Sequence, residues 1–278
     1  MASTLVAPDY IEDIRESTYR QPMLTMRQDQ IDTFERYQLK KFEDEMVEHL
    51  KKFAPQHWPV IGEQTGRQVI RLGIEQAEKY GFTNRGPVRF YIELMFMFGS
   101  YFDTDPQYPW IAAALHDPAD IDQMVRADNL YDDVKDYWEA VAGPENEYVF
   151  QALRRLSQAR SGDYIKDAMP LEECFLQGLR EIYPQKCEYL GDRSLHAFIQ
   201  NGLALAGTHG FSSPDSAALM VALGFFLGHG CTRDPLHGWI GRRLGDKRLT
   251  SADERSQEIH SKGMLYLNHV LNSRAQQP

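Results

Sequence analysis

The sequence predicts an all-α protein, with two tandem copies of a helical unit of about 75 residues packed into one compact body. Three observations indicate this fold. Apolar residues recur at helical spacing along most of the 278 residues. No stretch shows the sustained alternation of apolar and polar residues that is typical of strands. The chain also matches itself without a gap at an offset of 129 residues.

The internal match pairs Leu50–Leu115 with Leu179–Leu244. The identical residues are mainly glycines, prolines, aromatic residues and core aliphatic residues, for which backbone geometry and packing restrict the choice. In the first copy they include Leu50, Pro55, Gly62, Ile70, Gly73, Gly81, Phe82, Leu94, Phe96, Gly99, Asp105, Pro106, Trp110, Ile111 and Leu115. The pattern therefore predicts a duplication, with residues 25–115 as the first unit and residues 171–245 as the second.

The first unit is predicted to begin with three helices. A capping box of Thr25 and Gln28 precedes a long helix that ends at Pro55. The second helix ends at Gly81, and the third is the nearly all-apolar segment Val88–Phe98.

Each unit then contains an aspartate followed by a proline, Asp105-Pro106 and Asp234-Pro235. An acidic N-cap before a proline at the first helical position predicts that a short helix starts there. Asp103 and Asp105 could instead form an acid pair or ligate a metal ion, but the second unit has Thr232 in the place of Asp103. Helix capping is the favoured interpretation.

Residues 116–170 form a connector that is predicted to contain two or three helices, including Tyr131–Ala142 and Glu147–Arg160. Residues 246–278 are predicted as a C-terminal helix that starts at a capping box of Ser251 and Glu254. Residues 1–24 have no periodicity, which leaves open both a mobile arm and a strap along the two units.

Composition restricts the class of partner. The net charge of −10 repels phosphate backbones and anionic lipid headgroups, so neither nucleic acid nor a membrane is an expected partner. The longest apolar stretch, Ala217–Leu227, is short for a bilayer span of roughly 20 residues. Three cysteines without paired spacing and a start without a secretory signal favour the reducing cytoplasm.

Motifs of catalysis and cofactor binding are not found, so the chain is predicted to be neither an enzyme nor a cofactor-binding protein. His229, Cys231 and His237 have the side-chain types of a metal site without a recognised ligand spacing. Cys231 could also form a catalytic pair with His229 or His209. Because the corresponding residues of the first unit are poor ligands, a structural loop without metal is the favoured interpretation.

The connector concentrates negative charge. Between His116 and Glu147, ten acidic residues accompany two basic ones, a net charge of −8. Four of the acids share a face of the predicted helix, next to the aromatic residues Tyr137 and Trp138. Two interpretations remain open, a solvated face that keeps the protein soluble and a docking surface for a basic partner. The residues of the predicted docking surface are Asp132, Asp133, Asp136, Glu139, Tyr137 and Trp138.

The first unit resembles small helical proteins encoded beside type VI secretion effectors in Gram-negative bacteria. The similarity covers roughly residues 25–115 and lies in the strings IRLGIEQAEKYGF and YIELMFMFGSYFDTDPQYPW. The second unit has Cys231-Thr232 where the first has Phe102-Asp103.

This resemblance implies an accessory protein whose partner is a cognate effector or toxin. The first expectation is an immunity protein that neutralises the toxin, for which a basic nuclease is a suitable target. The alternative is a chaperone, co-chaperone or adaptor that helps to load the effector. The sequence leaves the oligomeric state open.

Overall fold

Helix α1, Gln28–Phe53, is the first element of the computed structural model. The structure describes residues 27–275 except residues 56, 117–121 and 167. Contacts divide the chain into two units, Met1–Phe42 and Glu43–Pro278. In the first unit, α1 leaves Phe34 and Tyr37 exposed. The predicted cap Thr25 lies outside the described residues.

The unit from Glu43 onward contains the other helices, joined by short loops and by the 3-10 turns Phe102–Thr104, Pro144–Asn146 and Pro235–His237. The helices are α2 (Trp58–Lys79), α3 (Arg85–Phe98), α4 (Pro109–Leu115), α5 (Gln123–Ala142), α6 (Glu147–Gln158), α7 (Ser161–Tyr164), α8 (Leu171–Ile182), α9 (Pro184–Thr208), α10 (Pro214–Leu227), α11 (Gly238–Leu244) and α12 (Ala252–Ala275). Over the described ranges no residue lies in a strand, which confirms the all-α prediction there. In the same ranges, no helix combines the length and hydropathy that a bilayer crossing requires.

Helix boundaries follow local sequence signals at most positions. The C-terminal capping box is confirmed, because the Ser251 Oγ accepts from the Glu254 amide at 3.0 Å and Glu254 Oε2 accepts from the Ser251 amide at 3.2 Å. The predicted helix start at Asp105-Pro106 is wrong, since α4 begins at Pro109. The Asp105 carboxylate accepts from the Gln107 amide at 2.9 Å and so forms a turn instead of a helix cap.

Backbone conformation repeats at the offset of 129 residues. Helix α2 is kinked at Gly62 (φ 73°, ψ 165°), and α9 is kinked at Gly191 (φ 70°, ψ 164°). Helices α3 and α10 have 14 residues each and end at Gly99 and Gly228, with φ of 94° and 90°. Such φ values are readily accessible only to glycine.

The core of this unit lies between the kinked helices and their neighbours. Helix α2 packs on α3, α9 packs on α8 and α10, and α5 contacts α3, α4 and α9. The largest fully buried side chains include Tyr91, Phe102, Phe198 and Phe225. Burial of an aromatic side chain of this size stabilises the fold by about 2 to 3 kcal/mol.

Candidate functional site

The exposed face of α5 carries a row of carboxylates. We call Asp132, Asp133, Asp136 and Glu139 the acidic crest, and all four are exposed. Glu139 lies 3.9 Å from Lys135, whereas the three aspartates form no ion pair with any residue in the described part of the chain. Like charges three and four residues apart on a helix repel one another. The three aspartates therefore present negative charge that no ion pair within the described residues neutralises.

Tyr137, predicted to belong to this surface, lies in the core. It is 3% exposed, and the rings of Phe98, Tyr108 and Trp110 lie within 5.5 to 5.7 Å of its centroid. Burial raises the pKa of its hydroxyl. A buried ring offers no area to a partner. The prediction that Tyr137 belongs to the docking surface is therefore wrong, and Tyr137 is a core residue.

Exposed aromatic side chains flank the crest. Trp138 is 37% exposed, and Tyr131, which directly precedes Asp132, is 57% exposed. Tyr189 of α9 is 40% exposed and packs edge-on against Tyr137 with 5.0 Å between centroids. Burial, followed by the charges of Asp133 and Asp136, raises the pKa of Tyr189. Local sequence gives no signal for Tyr189, because its proximity to the crest depends on the packing of α9 against α5.

A cavity of about 420 Å³ opens beside Trp138. Aromatic and aliphatic side chains form most of its wall, including Phe53, Phe96, Phe226, Leu236 and Tyr266. Two imidazoles, His57 and His237, also line it. Burial lowers the pKa of both, to about 4 for His237, and His57 Nδ1 has no hydrogen-bond partner within the described ranges.

Behind this surface, two buried aspartates make reciprocal contacts. Asp105 Oδ2 accepts from the backbone amide of His229 at 2.8 Å, and Asp234 Oδ2 accepts from the backbone amide of Ser100 at 2.7 Å. The Ser100 hydroxyl also donates to Asp234 Oδ1 at 2.6 Å. The two carboxylates thereby hold the C-terminal end of α3 against the C-terminal end of α10.

Lys186 places a cation in the core near Asp105. Its Nζ donates to the Phe225 carbonyl at 2.6 Å and to the Tyr108 hydroxyl at 3.2 Å, and it lies 4.2 Å from the centroid of the Phe225 ring. Burial lowers the pKa of Lys186 to about 8, an effect that the Asp105 charge opposes. The residue 129 positions earlier is His57, so a basic side chain occupies both positions.

The residues considered for metal binding or catalysis make other contacts in the structure. Asp103 accepts from the Tyr80 hydroxyl at 2.9 Å, and the His229 ring lies 3.3 Å from Asp105 rather than against a thiol. Burial raises the pKa of Cys231 to about 12, so its thiol stays protonated. Within the described ranges no three His, Cys, Asp or Glu side chains are grouped to hold a metal ion.

Comparison of the chain with protein-family models, with curated proteins and with solved structures finds no significant match.

Proposed function

We propose that the protein is an immunity protein, which binds a cognate type VI secretion toxin in the cytoplasm of the producing cell and blocks its activity. The acidic crest carries this proposal. Asp132, Asp133 and Asp136 project from a well-packed helix and lack a described ion-pair partner. Concentrated like charge opposes folding through self-repulsion. A basic partner would relieve that repulsion in the complex.

The flanking aromatic residues support a protein partner. Trp138 and Tyr189 offer broad, rigid contact area beside the carboxylates. Aromatic side chains are enriched among the residues that dominate protein–protein binding energy, while charges at the rim mainly guide the approach. A nuclease toxin suits this surface, because the groove that binds its nucleic-acid substrate is positively charged.

The mechanism follows from this arrangement. The crest attracts the basic groove over a distance set by ionic strength, about 8 Å at physiological salt. Trp138 and Tyr189 then lose water on contact and slow dissociation. With the groove covered, the toxin cannot reach its substrate, and no cofactor takes part in the inhibition.

A chaperone or adaptor is the second candidate, and the cavity beside Trp138 favours it. A cavity of about 420 Å³ with a mainly apolar wall accepts a large apolar side chain from a helix of the effector. Binding of this kind gains its free energy from buried apolar area and is nearly independent of salt. Salt dependence therefore separates the two candidates.

We also propose that Leu50–Leu115 and Leu179–Leu244 are copies of one ancestral unit. The paired kinks at Gly62 and Gly191 support this proposal. So do the equal lengths of α3 and α10 at an offset of 129 residues.

The test of the immunity proposal is growth of a sensitive strain that expresses the toxic domain of the neighbouring effector. Co-expression of the native protein should restore growth, and the two proteins should purify together. A crest variant with Asp132→Lys, Asp133→Lys, Asp136→Lys and Glu139→Lys should fail to protect. The reversed charges repel the basic groove, so the complex should be at least about a hundredfold weaker.

A matched control reverses four exposed acids elsewhere that form no ion pair with a described residue: Glu35, Glu75, Glu78 and Asp215. This control has the same net charge as the crest variant and should protect as well as the native protein. Equal protection by the crest variant would refute the crest as the binding surface. Continued toxicity, with binding only to the full-length effector, would favour the chaperone.

A further inference from the structure

A second cleft, distant in sequence from the crest, is lined by cations. It has a volume of about 380 Å³ and lies between α11, the loop that follows it and α12. One aromatic and five basic side chains line it: Trp239, Arg242, Arg243, Lys247, Arg248 and Lys262. We call this group the basic cleft.

Most of this positive charge is not neutralised within the described part of the chain. Asp246 pairs with Arg248 at 2.7 Å and with Arg243 at 3.5 Å, and Glu258 lies 3.6 Å from Arg243. Arg242, Lys247 and Lys262 form no ion pair with any described residue. Three uncompensated cations thus converge in a protein whose net charge is −10.

A helix of this length forms elsewhere in the chain without Arg242 and Arg243. Helix α4, 129 residues earlier, has the same seven-residue length as α11, and its Trp110-Ile111 matches Trp239-Ile240. At the places of Arg242 and Arg243, however, α4 has Ala113 and Ala114. The same short helix forms without charge. The cations of the cleft repel one another, and a bound anion would relieve this repulsion.

We propose that the basic cleft binds a small molecule that carries two or more linked phosphate groups. Arginine forks and lysine ammonium groups are the usual partners of phosphate oxygens. The cleft volume falls in the range of small-molecule sites, roughly 300 to 1,000 Å³. The Trp239 ring supplies a flat apolar surface on which the base of a nucleotide can stack. Long nucleic acids are disfavoured because the chain as a whole repels them.

The test is calorimetric titration of the full chain with inorganic tripolyphosphate and, separately, with ATP. Both probes should bind to the native protein. A triple variant, Arg242→Ala, Lys247→Ala and Lys262→Ala, should bind at least about tenfold more weakly for each charge-assisted hydrogen bond that the substitutions remove. The control variant, Lys52→Ala, Arg154→Ala and Arg193→Ala, removes three exposed cations elsewhere and should bind like the native protein. Unchanged thermal unfolding would show that the variants remain folded.

The remaining outcomes either define the ligand or overturn the proposal. Tighter binding of ATP than of tripolyphosphate, abolished in Trp239→Leu, identifies a nucleotide, whereas equal binding of both probes identifies a polyphosphate. Absence of binding, or equal weakening by the control variant, overturns the proposal. Self-association of the native protein that the triple variant abolishes, without phosphate binding, also overturns it and assigns the cleft to contact with another copy of the chain. None of these outcomes depends on the toxin.

Discussion

Gly99 and Gly228 face each other with their backbones in contact at the ends of α3 and α10. A Cβ atom on Gly99 would lie 2.7 Å from the Leu227 carbonyl oxygen, and one on Gly228 would lie 2.6 Å from the Phe98 carbonyl oxygen. Both residues also have positive φ. We call this backbone contact between Gly99 and Gly228 the crossing. The hydrogen bonds of Asp105 and Asp234 lie beside it and also connect α3 with α10.

Replacement of Gly99 by alanine should destabilise the protein strongly. The strained φ and the clash with a carbonyl together predict a loss of about 3 kcal/mol or more in the free energy of unfolding, measured by urea denaturation. Gly207→Ala is the matched control, because Gly207 is helical and a Cβ there would meet nothing within 4 Å. It should be neutral or stabilise the protein by about 0.5 to 1 kcal/mol. Equal effects of the two substitutions would contradict the packing described for the crossing.

Asp234→Ala should also reduce the free energy of unfolding. The substitution leaves the Ser100 amide and the Leu236 amide without their acceptor in a buried place. Each unsatisfied buried group costs about 1 to 3 kcal/mol, so a loss of about 3 kcal/mol is expected. Asp128→Ala, on the exposed face of α5, should change stability by less than about 0.5 kcal/mol. A small effect of Asp234→Ala would mean that the carboxylate does not hold the end of α3 to the end of α10.

Some of this arrangement was predictable from local signals, and some was not. Gly99 directly follows the predicted helical segment Val88–Phe98 and ends α3, because the requirement for positive φ acts on one residue at a time. The burial of Tyr137 was also accessible, since Leu130, Val134, Tyr137 and Val141 recur at helical spacing along α5. Its aromatic ring beside the carboxylates suggested a surface role instead.

The misplaced helix start at Asp105 has a different cause. Its partner, the His229 amide, lies 124 residues away in the sequence, and only the packing of α3 against α10 brings the two together. Lys186 is likewise buried against Phe225, 39 residues away. Long-range partners of this kind leave no trace in local periodicity, so a helix cap was the simpler expectation for Asp105.

Lys186 should give the protein a specific alkaline response. Its pKa is about 8 in the folded state and 10.5 in the unfolded state, so between these values the unfolded chain binds the extra proton. Stability therefore rises with pH across this window, by up to about 3 kcal/mol for a shift of this size. Lys186→Met should lack that rise. Urea unfolding of both proteins from pH 8 to pH 10.5 measures the difference between their free energies of unfolding. The buried tyrosines titrate in both proteins, so their contribution cancels in that difference. If the free energy of unfolding of the native protein and of Lys186→Met changed with pH in the same way, the lowered pKa of Lys186 would be contradicted.

His237 should make the protein sensitive to acid. Its pKa is about 4 when folded and 6.5 when unfolded, so stability is complete above pH 6.5 and falls as the pH drops toward 4. The loss should reach about 3 kcal/mol. In His237→Phe this loss should shrink, while His260→Gln, an exposed control, should behave like the native protein. Thermal unfolding between pH 7 and pH 4 tests this, and an unchanged acid profile in His237→Phe would refute it.

The most direct test of the central claim is the association rate of the toxic domain with the native protein at increasing ionic strength, measured by stopped-flow fluorescence. The native rate should fall about tenfold or more as salt screens the crest. A neutral crest variant, with Asp132→Asn, Asp133→Asn, Asp136→Asn and Glu139→Gln, should associate slowly at low salt and respond little to added salt. A native rate that changes neither with salt nor on neutralising the crest would contradict the claim that the acidic crest guides binding.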